Sequence, residues 1–234
     1  MKTNLKYSTS SLLIALALIA TPLLVWGERA MGSQWTQRLI LPFLVEEPNR
    51  HTLIVTEGRV LPLRIEENAT LSADHGPYII NSQTVVGKKA TLTIEPGTTL
   101  LAQEFATLII DGELIINGTN EKPVLFSTNE AHPDNQVWGG IIFSHESQGQ
   151  VTETRIDHAA PGLSCLANSN VNASHLRIKS KSVGIYTESQ TCKITKSYIQ
   201  SPKHGVITNG TYFDSTANRI AAGKQDKLEI AKPN

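Results

Sequence analysis

The chain has 234 residues, of which 40% are hydrophobic and 18% are charged, and its formal net charge is zero. The hydrophobic fraction is sufficient for a buried core. The balanced charge argues against nucleic acid as a partner, because binding phosphates requires a basic face.

Residues 1–27 have the features of a membrane-targeting segment. Lys2 and Lys6 precede an uncharged run over residues 7–27, and about 20 such residues suffice to cross a bilayer. The apolar part is also short enough for a secretory signal. The segment is therefore either an uncleaved signal-anchor helix, which we favour, or a cleaved signal peptide. Either reading predicts that the rest of the chain is extracytoplasmic, in the periplasm or at the cell surface, and that an uncleaved leader anchors it in the membrane.

Residues 28–52 have the composition of a linker or an N-terminal cap. Gly32, Pro42 and Pro48 interrupt any long helix. The segment also contains apolar residues that suit either the membrane surface or the open end of a solenoid. Both alternatives remain open from the sequence.

Residues 53–223 consist of short strand-like segments separated by turns, and these segments repeat. Leu92 and Ile94 recur 22 residues later as Leu114 and Ile116. Further along, isoleucines recur at intervals of 22, 21 and 21 residues: Ile156, Ile178, Ile199 and Ile220. A period near 22 with strand-forming residues is typical of a solenoid, whose coils bury their apolar faces by stacking.

The repeat predicts an all-β fold, a right-handed parallel β-helix of about six or seven coils. Residues 224–234 are predicted to be a polar C-terminal tail. Several glycines fall where turns are expected to need a positive φ: Gly97, Gly118, Gly184 and Gly205.

Four sequence motifs resemble those of bacterial surface proteins with right-handed parallel β-helix repeats, in the pectin-lyase-like superfamily. They are Leu-Thr-Ile-Glu-Pro-Gly-Thr at 92–98, Asp-Gly-Glu-Leu-Ile-Ile-Asn-Gly-Thr at 111–119, Pro-Val-Leu-Phe-Ser-Thr at 123–128 and Trp-Gly-Gly-Ile at 138–141. The resemblance covers roughly residues 75–223. It implies the fold, but not one activity, because the superfamily includes lyases, hydrolases, epimerases and adhesins.

The motifs of polygalacturonase-like hydrolases are absent apart from Arg-Ile-Lys at 177–179, which the repeat already explains, and no paired aspartates accompany it. The best carboxylate pair is Glu66 with Glu95, which the 29-residue recurrence of Leu-x-Ile-Glu places in one column on adjacent coils. Two solvated glutamates are the simpler interpretation. We therefore predict no catalytic residue, no metal site and no cofactor.

The strand around the repeated isoleucines predicts an outward column of Arg155, Arg177, Tyr198 and Arg219, with a second column of Asp157, Lys179 and Gln200 beside it. Stacked guanidinium groups and a Tyr ring suit acidic or neutral sugars. The sequence therefore nominates five ligand-binding residues: Arg155, Arg177, Lys179, Tyr198 and Arg219. The alternative is an ordinary charged solenoid face, relieved by an Asp157–Lys179 ion pair.

Cys165 and Cys192 are the only cysteines. The repeat stacks Cys165 on Thr187 and Cys192 on Val171, an offset that favours two buried thiols over a disulfide.

The function predicted from these features is that of a structural, adhesive or glycan- or protein-binding module of the cell envelope. Its partner would be a polysaccharide or another envelope protein. The alternative is a polysaccharide-active lyase or hydrolase with an unrecognised site on the coil exterior.

Overall fold

The computed structural model describes residues 58–129, 136–209 and 213–230. The predicted leader over 1–27 and linker over 28–52 lie outside these ranges. Within them, no helix is long and apolar enough to cross a membrane, and the one helical segment is a 3-10 turn, Ala73–His75.

The described residues form a parallel β-solenoid of about seven turns, built from strands β1 to β20 in chain order. Twelve strands form one bent sheet: β1 (Arg59–Val60), β3 (Ala69–Leu71), β4 (Tyr78–Ile80), β6 (Thr91–Ile94), β7 (Thr99–Ala102), β9 (Glu113–Asn117), β10 (Val124–Thr128), β12 (Gln148–Asp157), β14 (Asn170–Lys179), β16 (Cys192–Thr195), β17 (Tyr198–Ser201) and β19 (Arg219–Ala222). Eight strands form the other sheet: β2 (Arg64–Ile65), β5 (Gln83–Val86), β8 (Thr107–Ile110), β11 (Ile141–Phe143), β13 (Leu163–Cys165), β15 (Val183–Thr187), β18 (His204–Asn209) and β20 (Gln225–Ile230).

The bent sheet gives the solenoid two of its three faces. The first halves of β12 and β14 pair with β9 and β16, and their second halves pair with β10 and β17. We call the ladder β3-β6-β9-β12-β14-β16 the first face and the ladder β1-β4-β7-β10-β12-β14-β17-β19 the second face. The eight-stranded sheet is the third face.

The core lies between these faces, and the isoleucine repeat forms one of its columns. Ile156 pairs with Ile178, Ile178 with Ile199, and Ile199 with Ile220. The first three are fully buried, whereas Ile220 on the last coil is half-buried because no described strand stacks beyond it. The predicted pairing of Leu92 with Leu114 and of Ile94 with Ile116 is also confirmed.

The third face has three repeated glycines in its strands or just before them: Gly162, Gly184 and Gly205. The prediction of a positive φ is wrong for Gly184 and Gly205. Gly97 has a φ of 79°, as expected, but Gly184 and Gly205 do not have a positive φ, nor does Gly118. A β-carbon on Gly162 would lie 2.7 Å from the Gly184 carbonyl oxygen and would also meet the Ile178 Cγ2. Close approach between coils, not turn conformation, therefore requires glycine there.

Cys165 and Cys192 form a disulfide with a Cα–Cα distance of 6.3 Å, so the prediction of two free thiols is wrong. The predicted stacking partners are right, because Cys165 pairs with Thr187 and Val171 with Cys192. The error lies in the expected distance between the two cysteines, which their offset along the coil predicts to be too long for a disulfide. The chain between Thr187 and Cys192 turns a corner, which brings the two inward-facing sulfurs together within the range that a disulfide needs.

The last strand, β20, lies inside the segment that the sequence assigned to a polar tail, so the β-helix continues beyond residue 223. β20 pairs with β18 along five residues. The alternation of apolar and polar residues in β20 is opposite to that expected for a core strand, since Lys227 and Glu229 pair with the buried Val206 and Thr208. The backbone ladder extends the sheet regardless of side-chain polarity, which is why the apolar pattern failed to predict this strand.

Candidate functional site

The five predicted ligand-binding residues meet on the second face, in the positions that the repeat implied. Arg155 pairs with Arg177, Arg177 with Tyr198, and Tyr198 with Arg219, which forms one outward column across four coils. Lys179 lies beside it, between Asp157 and Gln200. The three arginines and Lys179 are exposed and Tyr198 is half-buried. We call these five residues the basic platform; that it binds a ligand stays a prediction.

The contacts within the basic platform differ from the predicted ones. The expected Asp157–Lys179 ion pair is wrong: Asp157 Oδ2 accepts a hydrogen bond from Arg155 Nε at 2.6 Å. The Asp157 side chain is buried, so it faces its own strand neighbour instead of reaching across to the exposed lysine. At the other end of the column, the Arg219 guanidinium lies 5.6 Å from the centroid of the Tyr198 ring, in a cation–π contact.

The middle of the basic platform is free of such partners. Arg177 and Lys179 form no ion pair with any residue in the described ranges. Their cationic groups are therefore available to an anionic or hydroxyl-bearing ligand, whereas Arg155 is already engaged by a carboxylate.

The first face has an open groove that the sequence reasoning missed, with a volume of about 890 Å³. Its floor consists of outward side chains from the first halves of β12 and β14. Gln148 pairs with Asn170 and Gln150 with Asn172, one coil apart. Thr152 and Ser174 form a third pair beside them. We call these six residues the amide groove.

The four carboxamides of the amide groove are exposed, and none has a hydrogen-bond partner among the described residues. The groove also contacts charges of both signs, with Glu113 on the earlier coil and with Lys193 and Lys196 on the later one. The signal for this site was present in the sequence, because Gln-x-Gln at 148–150 recurs 22 residues later as Asn-x-Asn at 170–172. The amide groove was not predicted because polar residues on the outside of a coil are usually ordinary solvated positions.

A corner column separates the amide groove from the basic platform. Glu153, His175 and Lys196 occupy equivalent positions on successive coils, and all three have a positive φ of 43°, 55° and 52°. This left-handed conformation bends β12 and β14 from the first face to the second and turns the chain between β16 and β17 in the same way. His175 Nδ1 lies 3.8 Å from Glu153 Oε1, so the corner between the two surfaces is polar.

The carboxylate pair that the sequence nominated does not form. Glu66 follows Ile65, which pairs with Val86 on the third face, while Glu95 follows Ile94, which pairs with Leu71 on the first face. The recurrent Leu-x-Ile-Glu therefore belongs to two different faces. Glu66 accepts a hydrogen bond from Arg64 Nε at 2.6 Å instead.

Within the ranges that the structure describes, no group of three or more His, Cys, Asp or Glu side chains is placed to hold a metal ion. Asp111, which the resemblance motif includes, accepts a hydrogen bond from Ser144 Oγ at 2.6 Å. Glu113 accepts one from Thr91 Oγ1 at 3.0 Å. These carboxylates serve contacts between neighbouring coils.

Comparison with protein families matches residues 63–159 to the family described as "Pectate-lyase like beta helix domain". This part of the chain, less than half of its length, is similar to that family. The pectate-lyase-like match, together with the parallel stacking of the coils, supports the predicted all-β, right-handed type of solenoid and its place in the pectin-lyase-like superfamily. No curated protein and no solved structure gives a significant match.

The pectate-lyase-like match ends at residue 159 and so includes only part of either surface. It contains Arg155, Gln148 and Gln150, whereas Arg177, Tyr198 and Asn172 lie beyond it. The match therefore does not indicate what either surface binds, and only the side chains of each surface bear on its chemistry.

Proposed function

We propose that this protein is an exported, membrane-tethered β-helix that serves as a structural, adhesive or glycan- or protein-binding module of the cell envelope. The observation that carries the proposal is the basic platform, in which guanidinium groups and a Tyr ring repeat at the coil spacing along one face. Adjacent strands lie about 4.8 Å apart, so the column offers successive contacts to a polymer that runs along the solenoid axis.

The chemistry of the basic platform favours a sugar polymer as the partner. Planar guanidinium groups donate paired hydrogen bonds to carboxylates, phosphates and vicinal hydroxyls. The Tyr198 ring, held by Arg219 at 5.6 Å, adds an apolar surface for the face of a sugar. Each contact is weak at an exposed site, but a polymer that engages several coils gains affinity through multivalency.

The disulfide supports the proposed location. Cys165–Cys192 is the chain's only cysteine pair, and disulfides persist mainly in oxidising compartments such as the periplasm or the cell surface. The basic, apolar leader over residues 1–27 favours the same location. A membrane tether in turn suits a module that holds an envelope polymer or an envelope protein in place.

The alternative is a lyase or hydrolase with an unrecognised site on the coil exterior. The best carboxylate pair in the sequence, Glu66 with Glu95, does not supply such a site, because the two residues lie on different faces. We therefore propose binding without catalysis as the function of the basic platform.

The test is affinity electrophoresis of the full chain in mild detergent, through gels that contain a soluble polysaccharide. We expect at least one acidic or uncharged polysaccharide to retard the protein. Replacing both Arg177 and Tyr198 by Ala should weaken retardation by at least one probe about tenfold or more, because the central cation and the ring are lost. The melting temperature should stay near the wild-type value, since truncating exposed side chains opens no cavity.

A matched control replaces the exposed Lys88 and Lys89, which lie outside the basic platform, and should leave binding unchanged. Undiminished binding of every probe by the Arg177 and Tyr198 double variant would remove the basic platform as a binding surface. Failure of the wild type to bind any polysaccharide would contradict the glycan part of the proposal.

A further inference from the structure

We infer that the amide groove is a second binding site, separate from the basic platform, and that it takes an uncharged, hydroxyl-rich polysaccharide. This inference rests on the proposed glycan-binding function and adds a second face and a ligand class to it. The inference is based on a two-by-two array of exposed carboxamides without hydrogen-bond partners among the described residues, with Gln148 paired with Asn170 and Gln150 with Asn172.

The geometry of the array suits a chain of sugars. The backbones that carry carboxamides in register on adjacent coils are about 4.8 Å apart, and the Cα atoms two residues apart on one strand are about 6.6 Å apart. Each carboxamide offers an acceptor oxygen and two N–H donors. A sugar carries vicinal hydroxyls that donate and accept together, so the array matches them without requiring a charge.

The hydroxyls of the amide groove extend this match. Thr152 and Ser174 pair beside the carboxamides, and Thr152 Oγ1 donates to the Ile116 carbonyl oxygen at 3.0 Å. That bond fixes the hydroxyl with its lone pairs free to accept. The floor therefore combines one fixed hydroxyl acceptor, that of Thr152, with adaptable carboxamides on two successive coils.

The charge distribution around the amide groove argues for an uncharged ligand. Glu113 lies on the earlier coil, and Lys193 and Lys196 lie on the later one, so opposite charges lie at the two ends of the groove. A polyanion or a polycation that runs the length of the groove would meet a like charge at one end. The basic platform, with its excess of arginines, differs in this respect.

The composition of the amide groove also predicts how its affinity depends on ligand length. No Phe, Tyr or Trp side chain lines the groove within the described ranges, so binding relies on hydrogen bonds, each of which contributes little in water. A short oligosaccharide should bind poorly, and a polymer that spans both coils should bind better.

The experiment uses the full chain in mild detergent and the same affinity gels, with linear β-glucan, mannan and dextran as uncharged probes and polygalacturonate and alginate as acidic probes. We expect at least one uncharged probe to retard the protein. Replacing both Gln150 and Asn172 by Ala should weaken that retardation about tenfold, since two donor–acceptor groups are lost. Raising the salt from about 0.1 to about 1 M should leave it nearly unchanged, because screening acts on charges.

Two sets of variants distinguish this inference from the proposed function. The matched control replaces Gln83 and Gln190, exposed carboxamides elsewhere on the solenoid, and should behave like wild type. The variant with Ala at Arg177 and Tyr198 should still bind the uncharged probe. Melting temperatures measured in parallel exclude misfolding as the cause of any loss.

The possible outcomes are distinct. Loss of uncharged-probe binding in the Gln150 and Asn172 variant alone supports the inference. If the uncharged probe binds this variant as well as wild type, or is lost only with the Arg177 and Tyr198 variant, the amide groove is not the site, while the proposed function stands. If only acidic probes bind, the inference is overturned and the proposed function again stands. If no probe binds, both fail.

Discussion

Gly184 shows how little room a single position in β15 leaves between two coils. A β-carbon there would lie 2.5 Å from the Gly205 carbonyl oxygen and would also meet the Ile199 Cγ2. Gly162 and Gly205 have equivalent contacts with their own next coil. The repeated glycine and the repeated isoleucine are thus two parts of one packing arrangement, which explains why both follow the same 21- to 22-residue period.

Replacing Gly184 by Ala should therefore destabilise the fold by about 1–3 kcal/mol, the usual cost of forcing an extra carbon into a close-packed site. Denaturant unfolding followed by far-ultraviolet circular dichroism measures this change. Gly76 provides the matched control, because a β-carbon there would have its nearest neighbour at an ordinary 3.5 Å. Equal stability of the two alanine variants would show that the coils are not packed as closely as described.

The strands themselves were predictable where a buried column repeats. Ile178 and Leu114 lie where their spacing placed them, because an inward apolar residue must recur once per coil to meet its neighbour. The pairing of Glu66 with Glu95 failed because Leu-x-Ile serves equally well on any face, so a motif match does not identify the face. The disulfide was missed because spacing along the chain does not record how sharply a corner folds back.

The candidate surfaces were predictable to different extents. The basic platform follows directly from the isoleucine register, since four of its residues precede those isoleucines by one position and Lys179 follows Ile178. The amide groove needed the knowledge that β12 and β14 bend at Glu153 and His175 and so contribute to two faces. That bend depends on left-handed backbone conformation at non-glycine residues, which the sequence does not announce.

The first residue of β18, His204, makes the stability of the last coils depend on pH. Burial is the main cause that lowers its pKa from the usual 6.5, and the positive charges of Lys224 and Lys203 lower it further. The folded state therefore resists protonation more than the unfolded state does. The consequence is a loss of stability as the pH falls below about 6.5 towards the lower folded-state pKa, and no contribution from this residue above that range.

Acidification from about pH 7.5 to about pH 5 should lower the melting temperature of the wild type more than that of a His204→Gln variant, which has no proton to take up at this position. Differential scanning calorimetry across the pH range measures the difference. His75→Gln, at an exposed histidine, serves as the control and should follow the wild type. A His204→Gln variant with the full wild-type dependence on pH would contradict this account.

At the scale of the whole molecule, the leader and the β-helix together predict a topology. The basic flank of residues 1–27 should stay in the cytoplasm and the β-helix should be outside it. Alkaline phosphatase, which is active only after export, should therefore be active when fused to the C-terminus of the full chain in a bacterial host. An intact but inactive fusion would contradict the proposed location. As the control, a fusion that lacks residues 1–27 should be inactive whether these residues are a signal-anchor helix or a cleaved signal peptide.

Distant parts of the chain stack in one register along the solenoid. Thr99 and Arg219 are 120 residues apart in the sequence, yet they belong to one outward column, connected by five inter-strand steps through Leu125, Arg155, Arg177 and Tyr198. Steps of about 4.8 Å place their backbones roughly 24 Å apart. The native cysteines are bridged, so spin labels attach only at cysteines introduced at these two positions.

The most direct test is the distance between those two labels, measured by double electron–electron resonance, with the protein that lacks introduced cysteines as the unlabelled control. The parallel β-helix predicts a single narrow distribution near roughly 24 Å, broadened only by the label arms. A broad distribution, or one centred beyond about twice that distance, would contradict the register and with it both candidate binding surfaces.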